Sequence, residues 1–233
     1  MDATLPAEQR RRQAAQVWTG TVAALLAVAL PVCAALLSGV DTSDSFRADN
    51  AGVLADHEQR ERLAATLHVF GLLATVVLIG VVAARLRWAY PLFGAAAAGV
   101  FLLAGGGFVL LRLVGPVGFA AITLRDRPAP DSATLGFLES VVMIAGPVSL
   151  LFAALAALAV AWALAIGRDG GIGHLALGVL LLLLGGLSLS LDRDPEGGWA
   201  DLTLTRPGGP LTTAGLVLVA LWAGWLARHP TVD

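Results

Sequence analysis

The chain contains no lysine, a single cysteine, a single tyrosine and two methionines. Cys33, being alone, can form neither an intramolecular disulfide nor a multi-cysteine metal site. Charge is also scarce: 15 basic residues, every one an arginine, and 17 acidic ones in 233, for a net charge of −2. A soluble domain of this length needs more charge to cover its surface. Without a basic excess the chain lacks the electrostatic footprint of a nucleic-acid binder, so no nucleic-acid partner is expected. It also has no P-loop, no dinucleotide-binding glycine fingerprint and no kinase motif. The exclusive use of arginine reads as coding bias before function.

What the chain has is long uncharged runs. Hydrophobic residues make up 57% of it, and uncharged stretches occupy 13–40, 63–84, 88–111, 140–167, 170–191 and 207–227. A bilayer core about 30 Å thick takes roughly 20 apolar residues in a helix, and each stretch is that long. Lipid cannot satisfy free backbone groups, so the runs must be helical; they are too long, and lack the alternation, for barrel strands. The expected fold is therefore all-α: a polytopic integral membrane protein, a bundle of six transmembrane helices in one membrane domain. The spans fall at about 15–39, 63–84, 89–112, 140–166, 172–191 and 210–227. A seventh apolar run, 113–124, is too short to cross and carries Gly and Pro, so it reads as an interfacial or re-entrant piece of a loop.

Arg10, Arg11 and Arg12 precede the first run, and Arg85 and Arg87 follow the second. By the positive-inside rule these place both termini in the cytoplasm of a multi-pass protein of the cell membrane. Trp18, Trp88, Tyr90, Trp162, Trp222 and Trp225 then fall near the inner face, where such rings favour the interface; Trp199 is the exception. Cleavage of the first run as a signal peptide near Cys33 would leave five spans, although the run is long for one and contains Pro31. The connection "GRDGGIG" between the fourth and fifth spans reads as a tight turn.

Few residues are candidates for chemistry. His68 sits near the outer end of the second span, and a b-type haem would need a second histidine at its depth on a facing helix. His57 is eleven residues away, His174 opens the fifth span on the other face and His229 is in the tail. No haem pair forms, and the ordinary reading of His68 is a neutral, hydrogen-bonded residue near an interface. In "DHEQRER" the zinc-protease pattern fails because position 61 is Glu; His57 and Glu61 stand one turn apart, enough for weak cation contact. The segment also reads as a solvated helix start laced by Asp56 with Arg60 and Glu58 with Arg62. Arg112, read as ending span three, and Glu139, read as beginning span four, can pair at the outer level or each bound its own helix. Together His68, Arg112, Glu139, His57 and Glu61 form a candidate outer-leaflet polar site.

No cofactor and no metal site is expected. Pro31 and Pro147 lie inside spans one and four as candidate kinks. Small-residue runs at 94–99 and 104–108 suit close helix packing in span three. Shared marks suggest a three-plus-three inverted repeat, with His68 to Gly80 matched by His174 to Gly186.

No catalytic cluster is visible, so the sequence leans away from an enzyme. It points first to a small permease-like or membrane-embedded transport component. The alternative is a structural, accessory or assembly subunit of a larger membrane complex. A redox or metal-binding protein using His68 comes third. Beyond the lipid bilayer, the expected partner is another protein or a second copy of the chain.

Overall fold

A computed structural model describes residues 7–37, 58–89, 94–123, 132–167, 171–191 and 208–228. These form six helices: α1 (Ala7–Leu37), α2 (Glu58–Ala89), α3 (Gly94–Thr123), α4 (Ser132–Gly167), α5 (Ile172–Leu191) and α6 (Gly208–Arg228). There is no strand among the described residues. Five helices carry a stretch long and apolar enough to cross a membrane: Ala14–Ala34, Arg62–Arg87, Gly94–Val114, Ile144–Ala165 and Ile172–Leu191, with mean hydropathies of 2.0 to 2.5. The sixth has a shorter apolar stretch, Leu211–Leu226. The protein is thus an all-helical bundle with the composition of a membrane protein.

The segment after position 112 is not a loop. α3 runs unbroken to Thr123, eleven residues past Arg112, and α4 starts at Ser132, before Glu139. Gly and Pro in this run suggested an interruption, yet a helix in an apolar setting keeps its hydrogen bonds wherever no better partner exists. Likewise α1 and α4 continue through Pro31 and Pro147.

Each helix packs on its predecessor in sequence, and α6 closes the set against α1. The centre is α4: 61% of its apolar window is buried, against 22% to 33% for the other four spans. Its sequence explains this. Ala153, Ala154, Ala156, Ala157, Ala159, Ala161 and Ala163 are all buried, so small side chains on several faces let neighbouring backbones approach from several directions. One core cluster joins Ala23, Leu78, Leu86, Phe101, Val160 and Leu226 from five helices, and a second gathers Leu150, Ala153, Ala154 and Leu181 around α4 and α5.

Large side chains fit into glycine notches. Ile79 of α2 lies against Gly105, and Phe152 of α4 lies against Gly107. Leu158 fills the notch at Gly178, Leu150 that at Gly215, and the Pro31 ring sits on Gly71. Pro31 therefore faces α2, so α1 is built into the bundle as one of its walls. Between α4 and α5 the turn uses Gly171, whose φ is +82° and whose missing Cβ would meet the Ala161 carbonyl oxygen at 2.7 Å. Both features demand glycine, and Leu175 N donates to the Gly171 carbonyl to open α5.

α6 is attached differently. Its side-to-side packing against α5, α1, α4 and α2 is sparse compared with the other consecutive pairs. Polar bonds hold it near both ends. Ser188 and Thr212 share a hydroxyl hydrogen bond of 2.7 Å, and Arg85 Nη1 donates to the Leu226 carbonyl at 3.2 Å.

Candidate functional site

Antiparallel succession sorts the polar residues into two levels. The first holds His68 and Arg112. They lie on α2 and α3, which pack along each other, and Arg112 is the charged group whose field reaches the His68 imidazole. Both side chains are half-buried. A cation beside the imidazole is a poor setting for a second cation, which argues against His68 as a metal ligand. No group of three or more His, Cys, Asp or Glu able to hold a metal occurs among the described residues.

The other members of the proposed outer site fall outside what the structure describes. Glu61 and Glu139 lie on helical backbone with side chains outside the described set, and His57 lies outside the described residues. For Glu139 the register is informative. The contact between Gly107 and Phe152 places Arg112, five residues on, level with Pro147 of α4. The Glu139 backbone is eight residues beyond that level, about 12 Å along the axis. Arg112 lies near the end of the apolar stretch of α3 and Glu139 just before that of α4, although both are inside their helices and the α3–α4 register sets their backbones at different levels.

The second level lies toward the opposite end of α2. His68 precedes Arg85 by 17 residues, about 26 Å of helix, and Arg85 marks the end where α6 finishes. Here His174, in the first turn of α5, stands edge-on to two indoles: Trp222 at 6.3 Å between ring centroids (75°) and Trp225 at 5.2 Å (79°). Trp222 in turn tilts against Phe101 at 6.2 Å. His174 is 8% exposed, and its Nε2 and the Nε1 of Trp222 are buried without a hydrogen-bond partner. The buried serines differ. Ser149 donates to the Gly146 carbonyl at 2.6 Å, and Ser188 bonds Thr212.

His68 and His174 therefore sit toward opposite levels of the bundle, too far apart to ligate one iron. Trp18 and Trp162 also lie toward the His174 level, at the start of the apolar stretch of α1 and the end of that of α4. Sequence reasoning placed Trp222 and Trp225 there but missed their contact with His174. The signal was available, since His174 opens one span and the tryptophans close the next.

Comparison of the chain with family models, curated proteins and solved structures returns no match. The class of the protein, a helical membrane bundle, consequently rests on the fold and composition alone.

Proposed function

We propose that the chain is a membrane-embedded transport component for a neutral or apolar solute, crossing the cell membrane six times with both termini in the cytoplasm. The observation that carries this reading is the attachment of α6. The consecutive pairs from α1–α2 to α4–α5 pack closely, while α6 spreads thinner contacts over α5, α1, α4 and α2 and is held near each end by a polar bond. A short helix held this way can shift against a rigid body at small cost, which is what alternating exposure of a solute path requires. The buried polar residues of the described core, Ser149, His174 and Ser188, include no acid and no lysine or arginine, which suits a neutral solute better than a coupled ion.

The test fixes α6 in place. In a Cys33→Ser background, Ser188→Cys and Thr212→Cys would join α5 to α6 on oxidation. Proteoliposomes should release labelled glycerol faster than empty vesicles, slow on oxidation and recover on reduction. Release no faster than from empty vesicles, for glycerol and for a neutral apolar dye alike, would overturn the reading.

A second reading, an accessory subunit, is favoured by a groove of about 410 Å³ between α1 and α2, lined by Trp18, Thr19, Val22, Ala23, Leu26, Ala74 and Val77. Trp18 is 70% exposed on its rim. A groove of this kind suits a partner's transmembrane helix. Stoichiometric recovery of a second membrane protein on gentle purification, lost in Trp18→Ala, would support this reading over the first.

A further inference from the structure

We propose that His174 and Trp222 form an internal site, between α5 and α6, for one neutral oxygen-bearing group. Two buried polar atoms without a protein partner are found in the described core, and they belong to neighbouring rings. Buried polar groups are almost always hydrogen-bonded, to protein or to a bound molecule. Among the described residues the other buried polar side chains obey this rule, as the hydroxyls of Ser149 and Ser188 show. Two exceptions side by side mark a shared missing partner.

The chemistry of that partner follows from the donors. An indole N–H only donates, so the group must offer an acceptor to Trp222 Nε1. An imidazole Nε2 donates or accepts according to tautomer, so the same atom must serve either way. A water, hydroxyl or carbonyl oxygen fits both demands. Two hydrogen bonds of about 2.9 Å through one oxygen hold two nitrogens roughly 5 Å apart, and the two rings that carry these nitrogens are neighbours, with centroids 6.3 Å apart.

The surroundings select against a cation. His174 lies at the N-terminal pole of α5, and Arg85 bonds the Leu226 carbonyl one turn beyond Trp222. Phe101 and Trp225 close the sides with apolar surface. The group reaches the site along the α5–α6 seam, which is more sparsely packed than the seams between the earlier consecutive helices. The inference does not depend on transport: an accessory subunit would hold the same group.

The shared chemistry has two sources, a trapped water or the polar head of an amphipathic molecule, and one experiment separates them. Full-length protein carrying ¹⁵N-labelled indole and imidazole is placed in nanodiscs of synthetic phosphatidylcholine, with and without lipid extract from the native membrane. Trp222→Phe assigns the signal. A Trp222 N–H shifted downfield into the hydrogen-bonded range in synthetic lipid alone identifies water. A shift that needs the native extract identifies an amphipathic ligand. His174→Leu should move the signal upfield, and if that variant fails to fold the wild-type spectra still decide. A Trp222 N–H that is not hydrogen-bonded in either lipid overturns the proposal. So does scalar coupling between the indole and imidazole nitrogens, which would show the two rings bonded directly to each other.

Discussion

The guanidinium of Arg85 donates through Nη1 to the main-chain carbonyl of Leu226 at 3.2 Å, joining residues 141 positions apart. The acceptor belongs to the last turn of α6, where carbonyls have no helical donor and the helix dipole favours a cation. Arg85 was first a topology marker, one of two arginines in a short connection. The fold gives it a second use as a cap supplied by another helix.

Arg85→Gln should therefore lower the stability of the bundle by about 1.5 to 3 kcal/mol, the usual net worth of a hydrogen bond from a charged group. The loss should be local. Accessibility of a cysteine placed at Trp225 should rise in this variant while one placed at Leu155 of α4 stays as it was. Thiol-labelling rates in a Cys33→Ser background measure both.

At the other end of α6, Ser188 and Thr212 should show coupling. In a double-mutant cycle of Ser188→Ala and Thr212→Val, the pair is expected to be worth about 1 kcal/mol, with the double variant less unstable than the sum of the singles. Thermal unfolding in detergent provides the numbers, and simple additivity would show that the bond contributes nothing.

Adjacent glycines of α3 should respond in opposite ways. A Cβ at Gly107 would overlap the Phe152 ring, while one at Gly106 meets nothing within 4 Å. Gly107→Ala is expected to cost about 1 to 3 kcal/mol by overpacking. Gly106→Ala should be neutral or stabilising by up to about 1 kcal/mol through helix propensity. Parallel melting curves of the two variants make the comparison.

Gly171→Ala combines a left-handed backbone with collision against the Ala161 carbonyl. It should be the more damaging of the turn substitutions, lowering stability by about 1 to 3 kcal/mol. Gly173→Ala, which meets nothing within 4 Å, is its control.

Exchanging the charges of Arg112 and Glu139 should bring no rescue. With about 12 Å of helix between their levels, Arg112→Glu combined with Glu139→Arg should be at least as unstable as the worse single variant. Recovery toward the parent would show that the α3–α4 register differs from the one set by Gly107 and Phe152.

The apolar stretches were legible because charge is so scarce that its positions mark their limits. The principal misreading follows from the same logic. Arg112 and Glu139 bound an uncharged run, yet a run is not a helix, and α3 and α4 continue past both. Close packing on span three could be expected from its glycines, but not that Gly105 and Gly107 would be filled while Gly106 stayed open. The central place of α4 was written in its seven buried alanines, which a hydropathy reading scores merely as apolar. The repeat gains little, since α5 and α6, at 20 and 21 residues, are far shorter than α2 and α3 at 32 and 30. Around His174 the sequence offered only a shared level with Trp222 and Trp225; their edge-on packing depends on the relative rotation of α5 and α6, which only the fold determines.

Because neighbours in sequence are neighbours in space, each helix can find its place as soon as it leaves the ribosome, beside one already inserted. α6 is the exception in one respect, since it must also meet α1, the first helix made. Until then the five earlier helices lack the contacts α6 makes with α1, α2, α4 and α5, so completion of the protein waits on the last helix made. A quality-control protease would find its opening there.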